Sequence, residues 1–291
     1  MENIFRKAER KQSKIRISMA GVSGSGKTFS ALKMARGLAS DWDKIAMIDT
    51  ENGRGDLYSD LGAYNIITLK APFSPERFIE AIKNCEEQGM EVIIIDSVSH
   101  EWEGSGGCLE SNELLAESVF KGNTWAAWSR TTPRHRKFID AIIASPCHVI
   151  TTMRSKTETI MTENKRVKKV GTKDIQRDGF EYEMTVSFNI DREKHMALAG
   201  KDNTHLFEKE LPFLMSEKDG KKIIKWNESG KKDEPTKEQN KIFEEQLKVF
   251  KMTKAEWNKA TGLLWNELTE KDAELWLKKH ALKIEKEKGG K

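Results

Sequence analysis

Residues 21–28 of the chain read Gly-Val-Ser-Gly-Ser-Gly-Lys-Thr, which fits the pattern G-x-x-x-x-G-K-[ST] at every fixed position. An alternating apolar stretch over residues 15–19 precedes this loop and predicts a β-strand. The apolar residues that follow the loop at helical spacing are Phe29, Leu32, Met34 and Leu38. The stretch therefore predicts a strand, a glycine-rich loop and a helix, in that order.

This glycine-rich loop has the chemistry of a phosphate-binding site. Its glycines allow successive backbone N–H groups to turn toward phosphate oxygens, and the N-terminus of the following helix adds partial positive charge. Lys27 is expected to reach the β- and γ-phosphates, and the Thr28 hydroxyl is expected to bind Mg²⁺. The predicted nucleotide-binding residues are Gly21, Ser23, Gly24, Ser25, Gly26, Lys27 and Thr28. We therefore predict that the chain binds a nucleoside triphosphate.

Composition limits the classes to which the protein can belong. The chain has 291 residues, of which 33% are charged and 37% hydrophobic, and its net charge is +4. No apolar run approaches the roughly 20 residues that a membrane helix needs, and the N-terminus lacks the apolar stretch of a signal peptide. Cys85, Cys108 and Cys147 form no C-x-x-C pair, which favours buried thiols over disulfides or zinc ligands. We expect a cytoplasmic protein without a membrane partner.

Short apolar runs alternate with helical signals through the first two thirds of the chain. The runs predicted as strands are residues 45–49, 66–69, 92–96 and 148–152. Ser74 with Pro75, and Thr132 with Pro133, resemble helix starts in which proline takes the first helical position. Continuous apolar strands separated by helices indicate an α/β fold with a mainly parallel sheet covered on both faces.

The pattern changes twice after residue 180. Alternation over residues 184–188, a run at 195–199 and the pair Asp219-Gly220 predict late β-hairpins. Three sites resembling capping boxes follow, at Thr236 with Gln239, Thr253 with Glu256, and Thr269 with Asp272. They predict a small three-helix module whose tryptophans form its core.

These changes in pattern divide the chain into five segments. The expected segments are an N-terminal arm at 1–14 with a possible role in oligomerisation, a core at 15–228, a linker at 229–235, a helical module at 236–284 and a charged tail at 285–291.

Two acidic residues follow predicted strands at positions suited to phosphate chemistry. Asp96 ends the most apolar run, where a carboxylate can hold Mg²⁺ directly or through water. The next residue is Ser97, so no glutamate stands there to polarise the attacking water. Glu51 follows the strand at 45–49, and because parallel strands end at the same edge of a sheet, we expect it to act as the general base. Alternatively, Glu51 only caps the turn into residues 52–55.

The order of these motifs resembles that of the RecA superfamily of ATPases. The stretches that carry this resemblance are residues 21–28, 48–51 and 94–98. The stretches similar to phage-encoded RecA-like proteins, including Sak-type single-strand annealing proteins, are residues 49–58, 96–103 and 152–158. The resemblance covers roughly residues 5–210. It implies a RecA-like P-loop NTPase core that binds and hydrolyses ATP with Mg²⁺.

The resemblance also implies a mobile DNA-binding loop, which here spans residues 154–178. The basic residues expected to contact DNA are Lys165, Arg166, Lys168, Lys169 and Lys173. Their contacts would be to phosphates and would carry little sequence information. The alternative is a solvated basic loop. Because the loop lacks aromatic residues, base stacking would have to come from elsewhere, such as Trp125 or Trp128.

RecA-like enzymes often complete the active site with a basic residue from the next subunit. Lys201 matches that position, and Arg154 or Lys156 is the alternative. A positive group at the γ-phosphate would stabilise transition-state charge. The resemblance further places γ-phosphate sensing near Thr152 and a possible docking contact with a neighbouring subunit at residues 5–8. We expect self-assembly into a ring or a filament.

These expectations define the function that the resemblance implies. It is a DNA-stimulated ATPase of phage recombination or single-strand annealing, acting in the bacterial host cell, with a replication or recombination protein as a partner of the C-terminal helices. The alternative is a nucleotide-gated regulatory module that binds proteins and has no DNA activity. A small-molecule kinase is disfavoured because the chain has no evident arginine-rich lid. A GTPase is disfavoured because residues 164–167 lack the aspartate of N-K-x-D.

Overall fold

The computed structural model describes most of the chain in two compact units. The described residues are 7–161, 167–231, 235, 237–261, 263–265, 268, 272–274, 276 and 277, with side chains described outside 157–171. One unit comprises residues 14–226, and the other combines residues 1–13 with 227–291. No helix in the described part of the chain is both long and apolar enough to span a bilayer.

The elements alternate between strand and helix in the first unit, as the sequence predicts. The strands are β1 (Arg16–Gly21), β2 (Ile45–Asp49), β3 (Asn65–Thr68), β4 (Val92–Asp96), β5 (His148–Met161), β6 (Val167–Asp174), β7 (Val186–Ile190), β8 (Met196–Asp202) and β9 (Phe213–Leu214). The helices up to the end of this unit are α1 (Lys27–Leu38), α2 (Pro75–Glu87), α3 (Ser99–Glu103), α4 (Cys108–Ser118), α5 (Thr124–Ala144) and α6 (Glu217–Glu228). The other unit contains α7 (Lys237–Val249) and α8 (Lys254–Thr261).

Within the described ranges, nine strands form one sheet with the order β3-β2-β4-β5-β1-β7-β8-β9, and β6 pairs with β5 outside this path. Pairing is parallel from β3 through to β7. It is antiparallel between β7 and β8, between β8 and β9, and between β5 and β6. The predicted α/β fold with a mainly parallel sheet and late antiparallel strands is confirmed.

Both faces of the sheet are covered, because neighbouring residues of one strand pack into different hydrophobic clusters. Met47 packs in a cluster with Leu32 of α1, whereas Ile48 packs in a cluster with Phe78 of α2 and Phe138 of α5. Burying each such side chain contributes about 1.5–3 kcal/mol. This two-sided burial explains why the strands read as continuous apolar runs rather than as alternating ones.

The apolar stripe of α1 is buried except at its first position. Leu32 and Met34 are fully buried, but Phe29 is 41% exposed. The Phe29 ring lies 6.4 Å from that of Tyr58. Phe29 therefore lies at the surface next to Tyr58 rather than in the hydrophobic core.

Helix α5 begins earlier in the chain than the predicted start at Thr132 and Pro133. α5 starts at Thr124, and the Asn123 side chain accepts a hydrogen bond from the backbone N–H of Ala126 at 3.0 Å. Pro133 lies inside the helix. The asparagine cap supplies the start signal, and the proline removes only one internal hydrogen bond.

The hairpin predicted at Asp219-Gly220 is wrong, because these residues lie in the first turn of α6. The backbone N–H and the hydroxyl of Ser216 both donate to Asp219 Oδ2 at 2.8 Å, which caps the helix. Gly220 packs directly against Gly37 of α1, where an added Cβ would lie 2.4 Å from the Met34 carbonyl oxygen. The glycine serves close helix packing rather than a turn.

The C-terminal unit has an aromatic core. Phe243 stacks on Trp265 with ring centroids 3.9 Å apart, and Trp257 is buried beside them. The capping box at Thr253 and Glu256 is confirmed, since each donates its backbone N–H to the other's side chain, at 2.8 and 3.2 Å. Thr236, Thr269 and the arm residue Phe5 lie outside the described residues.

Candidate active site at the phosphate loop

The phosphate loop joins the end of β1 to the start of α1. Gly24 and Gly26 have φ values of 80° and 89°, in the left-handed region that favours glycine. An added Cβ at Gly21 would lie 2.6 Å from the Ile190 carbonyl oxygen. The Ser25 hydroxyl is buried and has no hydrogen-bond partner in the described structure. These features match a loop whose backbone N–H groups close around phosphate oxygens.

Lys27 lies across this loop. Its Nζ donates to the carbonyl oxygens of Gly21 and Val22 at 2.9 and 3.0 Å. Burial lowers the pKa of Lys27 from its ordinary value, although the charges of Asp96 and Glu51 oppose this shift. The first turn of α1 contains no acidic residue, so no carboxylate competes there with a bound phosphate.

Asp96 and Thr28 provide oxygen atoms suited to Mg²⁺. The Thr28 hydroxyl donates to Asp96 Oδ2 at 2.6 Å, and the Thr152 hydroxyl donates to Asp96 Oδ1 at 2.5 Å. Burial raises the pKa of Asp96, and the hydrogen bonds from both threonines oppose that shift. Carboxylate and hydroxyl oxygens are ligands that Mg²⁺ prefers, so these residues fit the metal that the loop implies.

Glu51 reaches the same place from the neighbouring strand. Asp49 of β2 pairs in register with Asp96 of β4, and the backbone N–H of Glu51 donates to Asp49 Oδ1 at 2.6 Å. The side chain of Glu51 is only 12% exposed. The chain turn after β2 thus directs Glu51 toward the phosphate loop.

Arg154 lies in the cavity of its own chain. In β5 it pairs in register with Gly21, and its guanidinium contacts Glu51 Oε1, with Nη2 at 2.6 Å and Nε at 2.8 Å. Its backbone N–H donates to the Ser99 hydroxyl at 2.9 Å. The resemblance suggested Arg154 as a residue given to a neighbour, whereas the structure places it beside the candidate base of the same chain.

These side chains surround one cavity of about 220 Å³. Its lining includes Ser23, Gly24, Gly26, Lys27, Thr28, Glu51, Arg54, Tyr58, Asp96 and Arg154. The cavity thus brings a phosphate loop, a metal-binding pair and a candidate general base together.

Lys201 lies elsewhere in the fold. It belongs to β8, and its Nζ donates to the carbonyl oxygens of Glu181 and Tyr182 at 3.3 and 2.5 Å. It lines a different cavity, together with Ser18 and Asn189. The described structure therefore does not bring Lys201 to the nucleotide cavity of its own chain.

The basic segment 154–178 is largely a β-hairpin rather than an irregular loop. β5 and β6 pair antiparallel, with Lys156 opposite Lys173. Lys173 is exposed and lies 3.0 Å from Asp178. Lys168 and Lys169 belong to β6, but their side chains are not among those described. Lys165 and Arg166 lie outside the described residues.

Sequence reasoning missed a hydrogen-bond network behind Asp96. His100 Nδ1 lies 2.7 Å from the Thr50 hydroxyl, which also contacts the Asp96 carbonyl oxygen at 3.0 Å. Burial, assisted by the charge of Arg154, lowers the pKa of His100. These residues come from two strand ends, so no local spacing in the sequence marks them.

A second buried cluster forms around Glu101 of α3. Glu101 is fully buried, and its carboxylate lies 3.0 Å from His135 Nδ1 and 3.1 Å from Cys108 Sγ. Burial raises the pKa of Cys108 far above its ordinary value, so the thiol stays protonated and donates to Glu101. This cluster anchors α3, the helix that follows Asp96.

Comparison with known proteins identifies the domain. A family model described as an AAA domain matches residues 13–229. No curated protein matches the chain. The matched segment contains the phosphate loop, the strands that end in Asp49 and Asp96, and the basic hairpin.

Proposed function

The chain belongs to the AAA-domain family, and we propose that it is a RecA-like ATPase acting on single-stranded DNA in recombination or annealing. The family supports nucleotide binding and P-loop ATPase activity in general. The finer assignment, to the phage-encoded Sak-type group and to DNA, is our proposal. The observation that carries the RecA-like ATPase part is the cavity that brings Lys27, Thr28, Asp96 and Glu51 together, with Ser97 rather than a glutamate after Asp96.

The geometry supports hydrolysis by a positioned water. Lys27 and the loop N–H groups would hold the phosphates, and Thr28 and Asp96 would hold Mg²⁺, which neutralises phosphate charge when bound. Glu51 accepts a proton from water as the water oxygen bonds to the γ-phosphorus. The bond from that phosphorus to the β-phosphate oxygen breaks, and ADP and phosphate leave.

The DNA part of the proposal rests on the positive charge of the β5–β6 hairpin and on its continuity with the nucleotide cavity through β5. The strand β5 carries Arg154 at the nucleotide cavity and then continues into the basic hairpin. The hairpin sequence 156–173 contains six basic residues and two acidic ones. Such a segment suits the phosphates of a single strand and would bind with little sequence preference.

A second candidate function is a nucleotide-gated regulatory module that binds another protein and not DNA. The compact aromatic core of the C-terminal unit favours it, because such a unit can present a helical surface to a partner. We propose that this unit contacts a replication or recombination protein in either case, and that the ATPase cores self-assemble.

ATP hydrolysis measured with and without single-stranded DNA tests the proposal. We expect the wild-type protein to bind an oligothymidylate and to hydrolyse ATP faster in its presence. Replacing Lys165, Arg166, Lys168 and Lys169 with glutamine should weaken binding and reduce the dependence of the affinity on salt, by about 0.7 in logarithmic slope for each lost phosphate contact. If no DNA tested binds the protein or changes its rate of ATP hydrolysis, the result would instead favour the regulatory module.

A further inference from the structure

A second cleft, of about 530 Å³, lies at the base of the β5–β6 hairpin. Three tryptophans line it: Trp102 of α3 and Trp125 and Trp128 of α5. The rings of Trp102 and Trp128 are stacked, with centroids 5.6 Å apart and planes 18° apart. We call this site the tryptophan cleft.

Trp125 is the exposed part of this cleft. It is 87% exposed to water. A ligand that covered a tryptophan ring would remove about 150–250 Å² of largely apolar surface from water, which is favourable. Trp125 and Trp128 stand three residues apart at the start of α5 and therefore share a helix face. Trp125 therefore offers an exposed aromatic ring to a ligand, next to the stacked rings of Trp102 and Trp128.

Basic side chains surround the aromatic rings. Lys156 and Lys173 line the cleft and face each other across the hairpin. Like charges placed directly opposite on two strands destabilise their pairing, and here Asp178 offsets part of that repulsion through its ion pair with Lys173. The guanidinium of Arg177 lies 6.0 Å from the centre of the Trp128 ring, within the range of a cation–π contact.

The acidic groups of the cleft are largely engaged. Asp178 pairs with Lys173 at 3.0 Å, and Asp174 accepts a hydrogen bond from the Ser155 hydroxyl at 2.6 Å. Glu103 also lines the cleft and is exposed. The lining therefore combines flat aromatic surface with three cations and three carboxylates, so its formal charges balance.

We propose that the tryptophan cleft holds an unstacked base of single-stranded DNA, while Lys156 and Lys173 contact the adjoining phosphates. Exposed aromatic rings beside a basic track are the means by which proteins bind single strands without sequence preference. The inference rests on the proposed function and adds a base-binding subsite, which the basic hairpin by itself does not supply.

The cleft also touches the element that follows Asp96. Gln176, which lines the cleft, donates its Nε2 hydrogen to the Val98 carbonyl oxygen at 3.0 Å and to Glu101 Oε2 at 3.4 Å. Trp102 lies in α3, whose first residue, Ser99, accepts the backbone N–H of Arg154. A base in the cleft would therefore lie against a helix that contacts Arg154, a residue of the nucleotide cavity.

Fluorescence anisotropy with two labelled strands tests the subsite. One strand is an oligothymidylate, and the other is an abasic strand with the same number of phosphates. We expect Trp125→Ala to weaken binding of the oligothymidylate by about tenfold, the effect of losing one stacking ring. Binding of the abasic strand should be unchanged, and Trp125→Phe should retain most of the affinity because it keeps a ring.

Two further variants separate stacking from charge. Leu211→Ala, at a site that is 84% exposed and not in the cleft lining, is the control and should bind both strands like the wild type. Trp125→Ala should leave the salt dependence unchanged, whereas Lys156→Gln with Lys173→Gln should lower its logarithmic slope by about 1.4.

The outcomes distinguish this inference from the proposed function. If the wild type binds the oligothymidylate and Trp125→Ala binds it equally well, the subsite is wrong and the proposed function stands. Equal weakening of both strands would also overturn the subsite, because the abasic strand has no base to stack. A wild type that binds neither strand would overturn the proposed function and the subsite together.

Discussion

Arg154 fixes the carboxylate of Glu51 through two contacts to a single oxygen, with Nη2 at 2.6 Å and Nε at 2.8 Å from Oε1. The other oxygen, Oε2, lies 3.3 Å from Nη1 of Arg54. A mostly buried carboxylate between two guanidinium groups has a defined direction. The candidate base is thus oriented by its own chain.

Glu51→Gln should keep nucleotide binding and lose hydrolysis. The amide retains the shape of the side chain but cannot accept the proton of the attacking water, and a positioned general base contributes about 10²–10⁴-fold. Phosphate release and binding of a fluorescent ATP analogue measure the two effects separately. Glu117→Gln, at an exposed position of α4, is the matched control. Full hydrolysis by Glu51→Gln would mean that Glu51 only caps its turn.

Arg154→Lys should lower turnover more than it lowers nucleotide affinity. Lysine keeps the charge but cannot reproduce the planar contact with Glu51, and displacing a reacting group by about 1 Å costs about a hundredfold in rate. We expect kcat to fall by about tenfold or more with little change in KM. A raised KM with an unchanged kcat would show instead that Arg154 contributes to ground-state nucleotide binding.

The parts of the site that could be predicted share one property. Lys27, Asp96 and Glu51 each follow an apolar strand, and parallel strands place such residues at one edge of the sheet. The contact between Arg154 and Glu51 joins residues 103 positions apart, and no local spacing predicts it. The tryptophan cleft likewise combines α3, α5 and β6, whose arrangement follows only from the packed fold.

The wrong element predictions have a common physical cause. Thr132 with Pro133 resembles a helix start, and Asp219 with Gly220 resembles a hairpin turn, yet both pairs lie in helices. Proline and glycine signals are local, whereas the Asn123 cap and the contact of Gly220 with Gly37 decide the outcome. Capping and tertiary packing therefore prevailed over the proline and glycine signals.

His148 should make stability depend on pH below neutrality. Burial lowers its pKa from 6.5 to about 3, and its Nδ1 accepts the backbone N–H of Ile15 at 2.9 Å, which requires the neutral ring. Between these pKa values the unfolded chain binds a proton that the folded protein excludes. Stability is therefore lost as the pH falls from about 6.5 toward 3, by about 2 kcal/mol at pH 5 from this group.

Urea unfolding at pH 7 and pH 5 measures this loss, with His148→Asn as the test variant. Asparagine keeps an acceptor for Ile15 but does not titrate, so the variant should lose less stability on acidification. The exposed His205 offers a matched control, since His205→Asn should follow the wild type. Identical pH dependence in His148→Asn and the wild type would show that His148 does not carry the effect.

Lys201 gives a prediction about assembly, because it lies outside the nucleotide cavity of its own chain and its Nζ contacts only carbonyl oxygens among the described residues. If it completes a neighbour's site, Lys201→Ala and Glu51→Gln should each be inactive alone. A mixed oligomer then pairs an intact Glu51 with an intact Lys201 at some interfaces, so mixing should restore hydrolysis above the sum of the two. Mixing Glu51→Gln with Lys27→Ala is the control, since both changes affect the chain's own cavity and no intact site can form. Hydrolysis that stays additive in the first mixture, or a fully active Lys201→Ala protein, would remove Lys201 from the reaction.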